Sequence, residues 1–326
     1  MSSETSSVIK SAAVIGLGSV GSSWAALMLA QGIEVRGFDP GDGADALSKD
    51  LIAKAWPSLV QLGLTVDPDP PFQRLTIVAA IEAAVDGAEV VFENVPERLT
   101  LKREVLAKVD VAAPSDALIL SSAGGIAPSE LQVSCERPDR LAVMHPFNPA
   151  HLIPLVEIVP GKETSTDTIE RAKAFAASIG KHPIVVAEGK PGHMVNRFQF
   201  ALVREAFRCL ADGVASAEDI DAAVRYGLAP RWLLMGSLHT VSLAGGPDGM
   251  RGALDRFGRA MEQWWATDGS YELTEDMESQ IAAAAGRLNG EAGFADWVGW
   301  RDEQLVSLLD LQAHADAARP GHRKGN

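Results

Sequence analysis

The feature that most constrains this chain is the glycine-rich stretch Val14–Gly21, close to the N-terminus. Its glycines follow the spacing GxGxxG, at Gly16, Gly18 and Gly21, between an apolar run and an apolar helical pattern. The spacing predicts a tight strand-to-helix turn at Gly16, backbone approach to a pyrophosphate at Gly18 and close helix packing at Gly21. Phosphate would bind at the helix N-terminus, where unpaired N–H groups and the positive end of the helix dipole face it.

A second predicted strand, at 33–38, ends in Asp39, about twenty residues past the glycines, where an acidic group accepts both ribose hydroxyls of NAD. The same carboxylate would repel the 2′-phosphate of NADP. The sequence therefore predicts NAD as the cofactor, bound by Gly16, Leu17, Gly18, Ser19, Val20, Gly21 and Asp39. The alternative is that Asp39 only forms a turn after the strand.

Strand-like and helix-like runs alternate through the first half of the chain, which favours a parallel sheet. Beyond 189–192 no convincing strand is found. The predicted fold class is α/β, with a Rossmann-type, mostly parallel sheet domain at 1–190, an all-helical C-terminal domain at 191–318 and a disordered tail at 319–326. The predicted strands are 12–15, 33–38, 75–79, 89–95, 117–122, 141–144, 155–159 and 183–187. Predicted helices include 19–31, 44–62, 99–109, 129–134, 168–179, 194–211, 217–226, 231–243, 250–265, 275–287 and 297–313.

Charge and cysteine content limit the class of protein. The formal net charge is −14, from 43 acidic and 29 basic residues, and no basic run occurs, so nucleic acid is not an expected partner. No apolar stretch has membrane-spanning length, so a membrane is not expected either. The two cysteines lie far apart without metal-ligand spacing, which predicts no metal and a reduced, cytoplasmic protein.

Hydride removal from a secondary alcohol needs a base for the hydroxyl proton, and histidine is the usual choice. Of the seven histidines, His145 directly follows a predicted strand, at 141–144. Because ligands in open α/β sheets bind beyond the carboxyl ends of strands, His145 is the predicted base. A role in stabilising the turn is the alternative.

Glu157 is the predicted partner of His145. It is a single carboxylate in the apolar run 155–159, and a buried carboxylate is costly unless it is paired. Pairing would orient the imidazole and stabilise its protonated form; exposure of Glu157 on a strand is the alternative. Asn196, near the start of the first helix of the second domain, either caps that helix or points its amide at a substrate carbonyl across the interdomain cleft.

Several further segments share the order and spacing of a known group of enzymes. They are Glu93–Glu97 with Leu101–Lys102, His145–Pro149, Pro154–Glu157, Gly192–Arg197, Pro230–Trp232 and Trp300–Asp302. With the glycine motif, they run the length of the chain. The sequence thus resembles the 3-hydroxyacyl-CoA dehydrogenase superfamily, and within it the branch of lambda-crystallin, L-gulonate 3-dehydrogenase and carnitine dehydrogenase.

The resemblance implies oxidation of a 3-hydroxyl group with NAD. His145 would take the hydroxyl proton while C4 of the nicotinamide takes the hydride, Glu157 would hold His145, and Asn196 would place the substrate oxygen. The resemblance also implies cofactor contacts from Glu97, Lys102 and Asn148. On the residues alone, the first two of these are better explained as an exposed pair at a helix start.

One position departs from the family. Its members have a serine after the fifth strand that hydrogen-bonds the reacting oxygen, and this serine falls on Gly124. Either Ser122 reaches the substrate from nearby, or the pocket has no hydroxyl and accepts a bulkier substrate. Losing one donor to a developing alkoxide costs about 2.7–4 kcal/mol, so either another group compensates or ordinary substrates react slowly. His193 is a candidate for compensation, although a surface histidine is the simpler explanation.

A second departure concerns coenzyme A. The acyl-CoA enzymes carry basic and hydroxyl groups for it in a helical hairpin after the second strand. Here 43–71 is short, contains Lys49 and Lys54 as its basic residues, and has four aspartates, which phosphates would avoid. Arg231 resembles the arginine position of the small-acid branch and would bind a carboxylate bidentately; a surface salt bridge is the alternative.

The predicted function is NAD-dependent oxidation of the 3-hydroxyl of a polar, non-CoA hydroxy acid, gulonate- or carnitine-like, to the 3-oxo acid. The predicted catalytic residues are His145, Glu157, Asn196 and Ser122, and substrate would contact Arg231, Asn196 and Ser122. The alternatives are a 3-hydroxyacyl-CoA dehydrogenase, a biosynthetic ketoreductase on a larger 3-oxo acid such as a polyketide intermediate, and a structural protein with little catalysis. A homodimer through the C-terminal domain is expected, because a twin subunit often buries such apolar helical faces.

Overall fold

A computed structural model of the protein describes residues 9–187, 191–266, 274–275 and 293–317. The internal contacts of the chain fall into two compact units, Met1–Phe198 and Gln199–Asn326. The division lies inside a helix, Val195–Ala211, rather than before it. Asn196 therefore belongs to the first unit, together with the sheet.

One sheet of eight strands forms the centre of the first unit, in the order β3-β2-β1-β4-β5-β6-β7-β8. All neighbouring strands are parallel except β6 and β7, which are antiparallel. This confirms the predicted Rossmann-type, mostly parallel sheet. The strands are β1 Ser11–Ile15, β2 Glu34–Phe38, β3 Leu75–Ile77, β4 Val90–Glu93, β5 Leu118–Ser121, β6 Leu141–Pro146, β7 Leu155–Pro160 and β8 His182–Val185.

Helices cover both faces of this sheet, since alternate residues of each strand belong to different apolar clusters. Val14 and Phe92 pack in the cluster that includes the helices Ser19–Ala30, Ala44–Gln61 and Thr166–Ser178. Ile15 and Val91 pack in the cluster that includes the helices Ile81–Val85 and Leu99–Ala112. Strands buried on both faces read as continuous apolar runs, which is why the sequence locates them well. The helices are α1 Ser19–Ala30, α2 Ala44–Gln61, α3 Ile81–Val85, α4 Leu99–Ala112, α5 Pro128–Gln132 and α6 Thr166–Ser178.

The five-residue helix α3 was not predicted, because a segment this short does not complete two turns and shows no helical period. The other helices of the first unit lie where the sequence predicts them, with shifts of a few residues at their ends. Such shifts are normal, since helix termini fray and often tighten in the last turn.

The described part of the second unit contains helices and no strand, which confirms the predicted helical C-terminal region. Its helices are α7 Val195–Ala211, shared with the first unit, α8 Ala217–Ala222, α9 Ala229–Ala244, α10 Gly249–Ala266 and α11 Phe294–Ala317. A π-helical segment, Ala223–Leu228, joins α8 to α9. The predicted helix at 275–287 lies outside the described residues apart from position 275, as does the predicted tail at 319–326.

Within the described ranges, no helix combines the length and apolar character needed to cross a membrane. The two cysteines, Cys135 and Cys209, are both described and both carry free thiols. Burial raises the pKa of the Cys135 thiol to about 11, so this thiol is not poised for reaction.

Candidate active site

The antiparallel register of β6 and β7 places His145 directly opposite Glu157. Directly paired residues on one face of an antiparallel ladder have Cβ atoms about 4.5–5.5 Å apart, which suits a hydrogen bond between their side chains. Nδ1 of His145 lies 2.9 Å from Oε2 of Glu157. The pair that the sequence predicts thus forms across two neighbouring strands, which the loop 147–154 joins.

The Glu157 carboxylate is fully buried and has three donors. Besides the imidazole, it accepts hydrogen bonds at Oε1 from the backbone N–H groups of Met194 and Val195, both at 3.0 Å. Burial by itself would raise the pKa of Glu157. The hydrogen bonds from His145, Val195 and Met194 outweigh it and hold the pKa of this carboxyl below its ordinary value. Glu157 is therefore ionised at neutral pH although no water reaches it.

The ionised carboxylate fixes the tautomer of His145. A carboxylate only accepts hydrogen bonds, so Nδ1 carries the proton and Nε2 of the neutral ring keeps its lone pair. A Cβ atom on Gly124 would lie 3.2 Å from this Nε2, which is a tight contact, so the glycine keeps a side chain away from the lone pair. The imidazole is 7% exposed, which leaves one route for a proton, through Nε2.

Two side chains that follow β8 hold the backbone beside Nε2. His193 bonds the carbonyl of Ala123 through its Nε2, at 3.1 Å, and Asn196 donates from Nδ2 to the carbonyl of Gly124, at 3.0 Å. His193 has a positive φ of 49°. The ring centroids of His193 and His145 are 5.4 Å apart. Burial, together with this neighbouring imidazole, lowers the pKa of His193. His193 is therefore a buried, neutral group, not a surface histidine.

Ser122 is placed differently from the expectation. Its hydroxyl donates to Oδ1 of Asn94, at 2.7 Å, and accepts from the indole N–H of Trp24, at 3.1 Å. Its one proton is thus engaged with Asn94. The geometry favours the other alternative, in which the pocket has no serine hydroxyl beside the base.

The glycine motif forms a nucleotide crevice between β1 and β4, where the strand order reverses. Gly16 has a φ of 90° and would bring a Cβ to 2.9 Å from the Asn94 carbonyl, while a Cβ on Gly21 would overlap the Gly16 oxygen at 1.9 Å. Around Gly18, in contrast, a Cβ would meet nothing within 4 Å. A cavity of about 540 Å³ opens here and is lined by Gly16, Gly18, Ser19, Val20 and Asp39, among others.

Asp39 both holds the glycine turn and borders the cavity. Its Oδ2 accepts from the Leu17 N–H and its Oδ1 from the Gly41 N–H, both at 2.8 Å. A carboxylate has about four acceptor sites, so two remain for ribose hydroxyls. Among the described residues, no side chain caps the N-terminus of α1, whose N–H groups are thus available to a phosphate. The residues present therefore fit a dinucleotide.

Glu97 and Lys102 form part of a second network. Oε1 of Glu97 accepts from the N–H groups of Gly124 and Gly125, at 3.0 and 2.9 Å. Lys102 is 1% exposed, and its ammonium donates to both carboxylate oxygens of the buried Glu93, at 2.8 and 3.1 Å. The Glu97 carboxylate lies 3.6 Å from the same ammonium. Lys102 thus differs from the exposed helix-start pair expected from the residues alone, and it reaches a ligand only through Glu97.

Two further predicted residues lie apart from these networks. Asn148 is exposed and precedes a cis bond to Pro149, in the loop between β6 and β7. Arg231 lies in the second unit, near the start of α9, where its guanidinium donates to the Gly227 carbonyl. The structure assigns no ligand to either side chain.

Sequence reasoning missed Glu93 and the two N–H donors to Glu157. An acidic residue that ends an apolar strand, followed nine residues later by a lysine, was a usable signal for the Glu93–Lys102 pair. No sequence signal marks the N–H groups of Met194 and Val195, because any residue supplies one. In the described ranges, no three histidine, cysteine or carboxylate side chains are grouped to hold a metal ion.

A crevice for a dinucleotide and a histidine base, both at the carboxyl edge of one sheet, define a nucleotide-dependent dehydrogenase of the doubly wound α/β class. Residues 11–189 match the NAD binding domain of 3-hydroxyacyl-CoA dehydrogenase, and residues 192–295 match its C-terminal domain. The chain belongs to the 3-hydroxyacyl-CoA dehydrogenase family, as its sequence predicts. It is an NAD-dependent oxidoreductase that acts on a CH–OH group.

Curated relatives match over nearly the full length. The chain is 40% identical to an L-carnitine dehydrogenase of Bacillus cereus over 303 residues, which are 93% of this chain and 92% of that protein. It is 40% identical to an L-carnitine dehydrogenase of Pseudomonas putida over 310 residues, 95% of this chain and 96% of that protein.

Solved structures agree with this assignment. An NAD⁺-dependent dismutase, 5-formyl-3-hydroxy-2-methylpyridine 4-carboxylic acid 5-dehydrogenase, has a TM-score of 0.80 at 26% identity, covering 94% of this chain and 99% of its own. An (S)-3-hydroxybutyryl-CoA dehydrogenase from Ralstonia eutropha has a TM-score of 0.65 at 26% identity, covering 85% of this chain and 94% of its own.

Proposed function

We propose that this enzyme oxidises the 3-hydroxyl group of a small, polar hydroxy acid, carnitine- or gulonate-like, that carries no coenzyme A. The observation that carries the proposal is the His145–Glu157 hydrogen bond of 2.9 Å, with Nε2 of His145 facing Gly124, which has no side chain to cover it. This arrangement supplies a base at the carboxyl edge of the sheet, where an α/β dehydrogenase binds its ligands.

In the proposed reaction, Nε2 of His145 accepts the proton of the substrate hydroxyl. The imidazolium that forms keeps its Nδ1–H bond to the ionised Glu157, which stabilises the new positive charge. The Met194 and Val195 N–H groups hold the carboxylate in place, so Glu157 is a positioning residue. Asn196 has a second amide N–H besides the one bonded to Gly124, and this donor would meet the substrate oxygen.

NAD supplies the hydride acceptor when it is bound. Gly16, Gly18 and the start of α1 would hold its pyrophosphate, and Asp39 its ribose hydroxyls. Glu97 positions the Gly124–Gly125 loop, and Lys102 holds Glu97, so we assign both an indirect role at the cofactor rather than a direct contact. Asn148, exposed in the loop after His145, remains a proposed cofactor contact.

Two observations support a substrate without coenzyme A. The curated relatives at 40% identity act on L-carnitine, a free hydroxy acid. Both lysines of α2 are already paired with aspartates one turn away, Lys49 with Asp45 and Lys54 with Asp50. The helix thus offers little net positive charge to the phosphates of coenzyme A. Arg231 is the proposed partner of the substrate carboxylate.

We further propose that the protein is a cytoplasmic homodimer of a lambda-crystallin-like type that pairs through its C-terminal region. Large apolar side chains of the second unit are exposed, among them Leu238 at 76% and Trp265 at 65%. Exposed apolar surface on this scale is what a second subunit would cover. The proposed domains are 1–190 and 191–318, with a tail at 319–326. This division is supported by the two family domains, of which the first matches up to residue 189 and the second from residue 192.

A substrate panel tests the proposed function. NADH formation would be followed by absorbance with L-carnitine, L-gulonate, 3-hydroxybutyrate and 3-hydroxybutyryl-CoA, each with NAD and with NADP. We expect a free acid to be oxidised with a higher kcat/KM than the thioester, and NAD to be preferred. A higher kcat/KM for the thioester would contradict the proposal and favour an acyl-CoA dehydrogenase.

A further inference from the structure

The dinucleotide cavity of about 540 Å³ is lined by one basic side chain of the described chain, that of Arg98. Arg98 lies directly before α4, in the segment that follows β4. Its side chain is exposed, and within the described ranges it makes no hydrogen bond or ion pair. Arg36, Arg74 and Arg103, in contrast, each donate to a backbone carbonyl. The Arg98 guanidinium is therefore available to a ligand in the cavity.

Two parts of the cavity lining differ in chemistry. Gly18 and the N-terminus of α1 provide unpaired N–H groups that suit a pyrophosphate, and Asp39 borders the position of a ribose. The remaining lining is mostly apolar. Four of its side chains belong to, or pack against, the buried cluster on the α3–α4 face of the sheet, and we call them the apolar floor: Phe38, Val95, Leu101 and Val105. An apolar surface beside a ribose site fits a flat aromatic base and not a further phosphate.

Arg98 lies on the same side of α4 as the apolar floor. Leu101 and Val105 follow it at spacings of three and seven residues, which place side chains on one face of a helix. A guanidinium is planar and weakly hydrated, and it stacks on aromatic faces. A base that lies on the apolar floor is thus within reach of a stacked contact from Arg98.

Phosphate binding by Arg98 fits the cavity less well. NAD carries its two phosphates in the pyrophosphate, for which the start of α1 provides donors. A phosphate on the ribose, as in NADP, would lie beside Asp39, the one carboxylate among the lining residues of the described chain. The part of NAD that remains for Arg98 is the adenine ring.

We propose that Arg98 binds the adenine ring of NAD by stacking its guanidinium against the ring, which lies on the apolar floor. The inference goes beyond the proposed function, because it concerns the cofactor and holds whichever hydroxy acid is oxidised. Asp39 then discriminates between NAD and NADP, whereas Arg98 contributes affinity for both, since both carry adenine.

Cofactor binding in the absence of substrate tests the proposal. The Kd would be measured by fluorescence titration for NADH and for reduced nicotinamide mononucleotide, which lacks the adenosine half, and by displacement of NADH for ADP-ribose. In Arg98→Ala we expect the Kd values of NADH and ADP-ribose to rise by about 3- to 30-fold, the range of a cation–π contact. The Kd of the mononucleotide should not change, which also shows that the variant is folded.

Two further variants separate stacking from charge. Arg98→Lys keeps the charge but has no planar group, so we expect it to recover little of the affinity that Arg98→Ala loses. Arg103→Ala is the matched control, because it removes the same charge from α4. The Arg103 guanidinium donates to the Glu130 carbonyl at 2.7 Å and does not line the cavity, so the three Kd values should not change.

Other results overturn the inference. An unchanged Kd for ADP-ribose in Arg98→Ala would remove Arg98 from the adenine site, and an equal rise for the mononucleotide would mean a general effect on the crevice. Full affinity in Arg98→Lys would indicate a charge contact with the pyrophosphate, and a larger loss for NADPH than for NADH would indicate the 2′-phosphate. None of these measurements uses a hydroxy acid, so the inference and the proposed function can fail separately.

Discussion

Glu157 and Glu93 are both buried carboxylates at 0% exposure, on strands of the same sheet, yet their partners differ in kind. Glu157 bonds an imidazole and two backbone N–H groups. Glu93 bonds the ammonium of Lys102, the hydroxyl of Ser121 at 2.5 Å and the Val95 N–H at 2.8 Å. One carboxylate is paired with an imidazole, and the other with a lysine ammonium.

The partner therefore decides what a buried carboxylate does. A lysine ammonium stays charged over the range in which the protein folds, so the Glu93–Lys102 pair stabilises one fixed arrangement. An imidazole gains and loses a proton under the same conditions, so Glu157 can support a proton transfer. The first pair anchors the loop through Glu97, and the second prepares the base.

The largest effect is expected from His145→Gln, which removes the base and keeps a polar side chain of similar size. We expect kcat to fall by about 10²–10⁴-fold. The affinity for NADH, measured by fluorescence titration, should stay within twofold of that of the natural protein. An unchanged kcat would remove His145 from the mechanism.

Glu157→Gln tests the positioning role. The amide has one acceptor oxygen where the carboxylate has two, so it cannot serve both the backbone N–H groups and Nδ1–H of His145. If its NH₂ group faces Nδ1, the ring proton moves to Nε2 and the base is blocked; we expect kcat to fall by about 10²-fold. Glu157→Asp is the comparison, and partial recovery of kcat at unchanged KM would distinguish positioning from collapse of the site.

Glu93→Gln should act on stability rather than chemistry. Removing one partner of a buried ion pair leaves the Lys102 ammonium with only the exposed Glu97, at 3.6 Å, as a counter-charge, so we expect a loss of about 3–5 kcal/mol in the free energy of unfolding. Urea denaturation measures this loss. The double variant Glu93→Gln, Lys102→Met should recover part of it, and no recovery would contradict the pairing.

Asp39→Ser sharpens the comparison from the cofactor side, where the carboxylate is half-buried rather than fully buried. Removing the charge abolishes repulsion of a 2′-phosphate, so the preference for NAD over NADP should fall by about 10-fold, equivalent to about 1.4 kcal/mol. The ratio of kcat/KM values for the two cofactors measures it. A ratio that stays constant would separate Asp39 from ribose recognition.

The smallest effect concerns acid stability. Because the folded-state pKa of Glu157 lies below the ordinary value of 4.5, its contribution to stability is fully present above pH 4.5 and is lost as pH falls through the lower folded value. The difference in unfolding free energy between the natural protein and Glu157→Gln should thus shrink below pH 4.5. A difference that is independent of pH would contradict this ionisation.

The sequence predicts most of the fold, since the central strands are buried on both faces and many helices begin near glycines, prolines or capping residues. It also identifies His145 and Glu157, because a carboxylate in an apolar strand needs a partner. It does not predict that β6 and β7 are antiparallel, although this register is what joins the pair. It likewise missed α3 and the burial of Lys102, which depend on packing against distant segments.

The sequence by itself determined the nucleotide crevice, because glycines at fixed spacing and an acidic residue after the second strand are local requirements of one turn. Only the tertiary structure decided which groups surround the base. The N–H donors of Met194 and Val195, the amide of Asn196 and the Gly124 backbone come together from segments separated by many residues. Local preferences specify turns and periods, whereas the neighbours of a side chain are fixed by how the whole chain packs.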